Sequence, residues 1–187
     1  MKVQYSEATD LIENNVTAYT RRKEVKPESS KVNWTGKKIG GSHQGEVQIK
    51  SGYLQFENDQ ITGGEVEIDM SSISNTDIKD PVYNQNLIGH LKSDDFFGVE
   101  KFPAASFVIT GSSQFKDGKA SVSGNITIKE NTEELTFQVT KMNGLYTSIL
   151  LIDRSKFDVR FGSSSFFNNL KDKAIDDNFM LEISLAV

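Results

Sequence analysis

With 187 residues, no cysteine, and a formal charge of −5 from 26 acidic and 21 basic side chains, the chain is long enough for one domain with a substantial core. It carries no disulfide, thiol nucleophile or thiolate metal site. Charges of both signs are interspersed, which argues against a surface that tracks phosphates, so nucleic acid is not an expected partner. Twelve Phe within a hydrophobic fraction of 36% put much of the apolar material into large side chains that alternate with polar ones, as in a sheet with two unlike faces.

At the N-terminus, Ala8, Leu11, Ile12, Asn15, Val16 and Tyr19 fall on one helical stripe and predict an amphipathic helix over residues 6–20. Residues 1–25 contain no signal-peptide core, and no apolar run approaches the length of roughly 18 residues that a membrane span needs. The stretch RRKEVKPESS, charged and broken by Pro27, reads as a connector. The predicted organisation is therefore an N-terminal helix and connector over 1–29 and one β-domain over 30–187.

From residue 31 the hydrophobic period is two. Val32 and Trp34, Val47 and Ile49, Leu54 and Phe56, and Val66, Ile68 and Met70 predict four strands. Gly40-Gly41, Ser51-Gly52 and Asn58-Asp59 supply turn chemistry between them. Residues 82–92 then switch to helical spacing, with Val82, Gln85, Leu87, Ile88 and Leu91 on one side. Asp94 and Asp95 are expected to stop this helix. Phe96 and Phe97 place two large apolar surfaces in the loop that follows, and Phe102-Pro103 leads into a strand with Phe107 and Ile109. Further strands are predicted from Val122 to Ile128, from Leu135 to Val139, from Ile149 to Ile152, from Phe157 to Phe161 and from Phe179 to Val187. Turns are expected at Lys116-Asp117-Gly118, at Asn131 to Glu134 and at Asn143-Gly144. Eight to ten short strands joined mainly as hairpins point to an antiparallel sandwich or barrel.

Several fragments, in order, resemble the YceI-like family. SSKVNWTGKK with Trp34 is similar to its first strand, and SHQGEV with His43 and Gly45 to its second. SGYLQFENDQITGGEVEIDMSSI resembles the strand pair that follows, and HLKSDDFFGVEKFPAASF at residues 90–107 resembles the family's most recognisable stretch. GNITIKENTEELTF departs from the pattern, with Glu130 in place of a usual glycine and Glu133-Glu134 in place of Lys-Pro. IDRSKFDVRFGS and AIDDNFMLEISLAV again look like the family. The resemblance implies an all-β, extended antiparallel lipocalin-like β-barrel with short lid helices, here preceded by the N-terminal helix. It also implies a polyprenyl lipid as partner, such as an isoprenoid quinone or a polyprenyl phosphate, no cofactor, and a periplasmic location, with a cytoplasmic one as the alternative because residues 1–25 show no signal sequence. A homodimer is left open.

If the alternating faces line such a barrel, the wall candidates are Trp34, Phe56, Val66, Ile68, Phe107, Ile109, Ile126, Phe137 and Phe157, with Phe96 and Phe97 closing the entrance. Core packing is the alternative role for each. Asn33, His43, Lys92 and Arg160 are candidates for holding a head group, and pairing with a neighbouring carboxylate is an equally good role for them.

Materials for catalysis are few. The chain has two histidines, with no HExxH spacing and no Gly-x-Ser-x-Gly elbow. A metal site of His43, His90 and an Asp would require both histidines at the barrel mouth. No enzymatic activity is expected. The alternatives are an enzyme acting on an apolar substrate in the same pocket, which predicts both histidines near one carboxylate, and a filled barrel that binds protein, which predicts no cavity.

Overall fold

A computed structural model describes residues 19–187. The order of elements is β1 (Thr20–Glu24), β2 (Lys31–Lys38), β3 (Gly41–Glu57), β4 (Gln60–Asp69), α1 (Pro81–Lys92), β5 (Ala104–Ser112), β6 (Lys119–Ile128), β7 (Asn131–Met142), β8 (Leu145–Asp153) and β9 (Ile175–Ala186). All pairings between these strands are antiparallel. The sheet runs β3-β2-β9-β8-β7-β6-β5-β4 and closes through a β3–β4 pairing, with β1 added on β3. The result is the expected all-β, lipocalin-like barrel. Within the described residues no helix is long and apolar enough to cross a membrane.

Hairpin turns fall where the sequence supplies residues tolerant of positive φ. Asn58 and Asp59 (φ 48° and 67°) and Asn143 and Gly144 (φ 52° and 81°) each make a two-residue turn with both residues left-handed, the geometry that matches strand twist. In the departing hairpin, the turn expected at Asn131 to Glu134 lies two residues earlier. Ile128 pairs with Asn131, and Lys129, at φ 51°, leads the turn.

Three further expectations are corrected, and one falls outside the described residues. The predicted connector contains β1, which pairs Thr20–Glu24 with Tyr53–Glu57 of β3. Its charged side chains hid it, yet Arg21 and Lys23 lie over the Phe56 ring, burying their stems while the heads stay polar. Ser51-Gly52 is no turn, because β3 is one 17-residue strand with a register shift between Ile49 and Ser51. A Cβ on Gly52 would lie 2.7 Å from the Glu65 carbonyl oxygen, so glycine lets the bulged strand lie close against β4. Phe157 to Phe161 is not a strand either. Arg154–Phe157 form a 3-10 turn that ends at Asp158 in the left-handed region. The helix expected over 6–20 lies outside the described residues but for its last two positions, of which Thr20 belongs to β1.

Apolar side chains form two clusters inside the barrel. At one end Val25, Leu54, Phe56, Ile61, Val122, Val139 and Tyr146 pack together, with Phe115 edge-on to Tyr146, and close the barrel. At the other, Met70, Ile73, Phe96, Val99, Phe157 and Val159 pack beneath the long β4–β5 connection. Between the clusters the lumen is open.

Candidate functional site

The lumen is a cavity of about 630 Å³, within the size range of small-molecule sites. Trp34, Val66, Ile68, Phe107, Ile109, Ile126 and Phe137 line it, and Phe96 and Phe97 line it from the lid. Phe107 and Phe137 face each other with ring centroids 5.4 Å apart. Polar residues on the wall are few, and the charged ones, Lys37, Lys38, Arg154, Lys173 and Asp176, belong to strand ends and to the 154–174 segment at the mouth.

Two wall candidates do not line the cavity. Phe56 has the inward parity but sits in the closed end, fully buried with its ring centroid 6.0 Å from that of Tyr146. Phe157, the last residue of the 3-10 turn, is buried in the mouth-end cluster, because its segment leaves the sheet. Parity predicts which face a residue takes, and it says nothing of position along the barrel axis.

Among the head-group candidates only His43 reaches the cavity. Its Nδ1 lies 2.9 Å from Asp77 Oδ2, and Asp77 Oδ1 accepts from the Gln44 N–H and the Asn75 amide. Burial pushes the Asp77 carboxyl up, but these hydrogen bonds and His43 outweigh it and hold the group at about 2. Asn33 points outward from β2, into a groove on the barrel's outer face. Lys92 is tied down elsewhere, its Nζ donating to the Ser71 carbonyl at 2.6 Å. Arg160 is exposed, pairs with Asp158 and stacks over Phe166 at 4.9 Å.

The lid is built from local signals. Asp80 caps α1 by accepting from the Val82 and Tyr83 N–H groups, and Pro81 occupies the first turn, where its missing N–H costs nothing. No residue of α1 is fully buried, but Leu87, His90 and Leu91 face the cavity. Ser93, rather than Asp94, ends the helix, its N–H bonding back to Gly89 and His90. Asp94 instead pairs with Lys101 at 2.7 Å. The chain then turns tightly through Gly98 at φ 56° and buries Phe96, whose ring meets His90 at 5.3 Å and Phe161 at 6.0 Å. His90 Nε2 is 4.0 Å from Asp95 Oδ2, so the two histidines engage different carboxylates. Among the described residues no group of three His, Cys, Asp or Glu is placed to hold a metal.

Arg154 is the residue that sequence reasoning missed. It is 3% exposed, and its guanidinium donates to the carbonyls of Val159, Phe161, Ile175 and Asp176. It also lies 3.4 Å from Asp177. The planar fork thereby staples the 154–177 segment across the mouth, at the price of a pKa pushed down by burial. The one available signal was an arginine directly after a strand-ending Asp.

A family profile described as the YceI-like domain matches residues 24–187. A UPF0312 protein of Shewanella denitrificans is 30% identical over 87 residues, covering 46% of this chain and 43% of that protein. A UPF0312 protein of Staphylococcus aureus is 34% identical over 93 residues, covering 43% of this chain and 51% of its own length. The chain thus spans about half the length of the curated relatives it matches. Among solved structures, Burkholderia cenocepacia BcnA superposes with a TM-score of 0.62 at 24% identity over 86% of this chain and 98% of that one. A polyisoprenoid-binding domain from Saccharophagus degradans gives a TM-score of 0.60 at 14% identity over 87% and 95% of the two chains. Both are likenesses of fold.

Proposed function

The chain belongs to the YceI-like family, and from that premise we propose that it binds a polyisoprenoid lipid, with the tail in the barrel and the head group near the mouth. The observation that carries this reading is the distribution of the lining: apolar side chains through the lumen, charged ones confined to the mouth. Each five-carbon isoprene unit buried contributes on the order of 3–4 kcal/mol before ordering costs. Several units suffice for tight binding without a strong polar anchor. An isoprenoid quinone or a polyprenyl phosphate fits this chemistry, with His43 and the mouth lysines as partners for the head. Binding then sequesters the lipid or carries it through water, and no bond is made or broken. A periplasmic site of action goes with this reading and is checked by osmotic-shock fractionation.

Organic extraction of the natively purified protein followed by mass spectrometry tests the proposal. A co-purifying prenyl lipid is the expected result. An extract without one, from protein that also takes up no added prenyl quinone, would overturn it. A filled barrel that binds protein predicts no lumen, so the cavity disfavours that alternative.

A further inference from the structure

The barrel is not evenly sewn. β6 and β7 pair from Lys119–Thr140 through Ile128–Asn131, and β8 and β9 pair over all of Leu145–Asp153. Between β7 and β8 the ladder holds only Thr140–Met142 against Leu145–Thr147. Just beyond it the Ser148 hydroxyl donates to the Gln138 carbonyl at 2.6 Å. At the mouth end Lys156 reaches Glu133 at 3.3 Å. The stretch between these two ties has no β-ladder, although a closed barrel would abolish such edges.

This slit opens on the cavity, since Leu135 and Phe137 from β7 and Leu150 from β8 all line it. Outside lies a second groove of about 530 Å³, lined by Lys31, Asn33, Gln138, Thr147 and Glu182 among others. Ser148 and Ile183 belong to the walls of both, so at the start of the slit groove and cavity lie on either side of the same residues. Ile149 and Leu151, 65% and 69% exposed, flank it on the outer face of β8. Continuing the existing register would set Phe137 against Leu150 and Thr136 against Leu151. Every side chain would keep its face, so closing the seam requires no change of pattern.

We propose that the β7–β8 seam is a side entrance to the cavity: the apolar tail of the ligand passes between Phe137 and Leu150, and the polar outer groove receives its polar end during passage. This rests on the lipid-binding reading above. Sideways passage spares a long tail from being threaded end-on past α1, Phe96 and Phe97. Ile149 and Leu151 give it apolar surface to meet first, and because a cross-strand bond gains little over bonds to water, the strand edges can part and zip again at small energy differences.

The chain has no cysteine and a single Trp, and Trp34 lines the cavity, so it is a ready reporter of quinone binding. Thr136→Cys/Leu151→Cys introduces one disulfide across the seam at outward positions that line neither cavity nor groove. A short bis-maleimide bridges the same pair if the direct bond does not form. Stopped-flow quenching of Trp34 by decylubiquinone should slow about tenfold in the bridged protein, or about 1.4 kcal/mol on the barrier. Reduction of the disulfide restores the rate, and Ser148→Ala, which removes the first tie, raises it. Equal rates in the bridged and unbridged forms would overturn the side entrance. Absence of quenching in the unbridged and the parent protein would be a different failure, that of the lipid-binding reading itself.

Discussion

Phe137 shows how much hangs on single side chains in a cavity of this kind. It lines the lumen, packs on Phe107 and borders the seam. Phe137→Asp should abolish quinone quenching of Trp34, because a carboxylate would have to be desolvated beside the tail. Retained uptake would place the ligand elsewhere. Gly45 makes the opposite kind of contribution. A Cβ there would lie 1.8 Å from the Ser74 carbonyl oxygen and 2.7 Å from the Trp34 ring, and that same carbonyl accepts from Trp34 Nε1 at 3.1 Å. Gly45→Ala should therefore cost about 3 kcal/mol in urea unfolding and shift the Trp34 emission. Asp77 provides a pH signature. Its folded pKa of about 2 lies below the ordinary 3.8, so its stabilisation is complete above the unfolded value and is lost as pH falls through the folded one. The parent should lose stability between about pH 4 and pH 2 more steeply than Asp77→Asn, as followed by urea titrations across that window.

At the level of elements, the strands and the lid differ in how they are held. β3 to β6 are paired along most of their length, whereas α1 buries no residue completely and is tied by its Asp80 cap, by Asn84 to Asn75 and Ile78, and by Lys92 to Ser71. Elements with few buried contacts open first. Amide exchange should accordingly be faster in residues 81–92 than in β4 to β6, and bound ligand should slow it in the lid. Equal protection of helix and barrel in the free protein would contradict this. The 154–177 segment depends instead on Arg154. A lysine there would lose the fork that reaches four carbonyls, so Arg154→Lys should expose the segment to limited proteolysis well before the barrel unfolds. Both elements were half visible in the chain. The helical spacing of 82–92 and the aromatic pair after it are local patterns, and the structure keeps them. The 154–161 stretch alternates as a strand would, but Arg154 and the left-handed Asp158 take it out of the sheet, and a buried guanidinium leaves no periodic trace.

For the whole molecule, binding and stability are linked by mass action. A ligand at about a hundred times its dissociation constant adds about 2.7 kcal/mol, and for a domain of this size that is a rise in Tm of about 5–10 °C. A prenyl quinone should produce that shift in thermal unfolding, whereas a head-group analogue without a tail should not, if the apolar lumen supplies the affinity. The strands, most of the hairpin turns and the alternating apolar face were determined by the sequence itself, because period-two patterning and residues tolerant of positive φ act within a few positions of the chain, whereas that patterning suits a sandwich as well as a closed barrel. The tertiary structure alone decided which inward residues line the lumen and which plug its end, as Phe56 against Phe107 shows, since depth along a barrel depends on register summed over every strand. It likewise decided that β1 joins β3 and that β7 and β8 part. Those outcomes arise from closing the sheet on itself, where the last pairings must accommodate the twist and stagger of all the others.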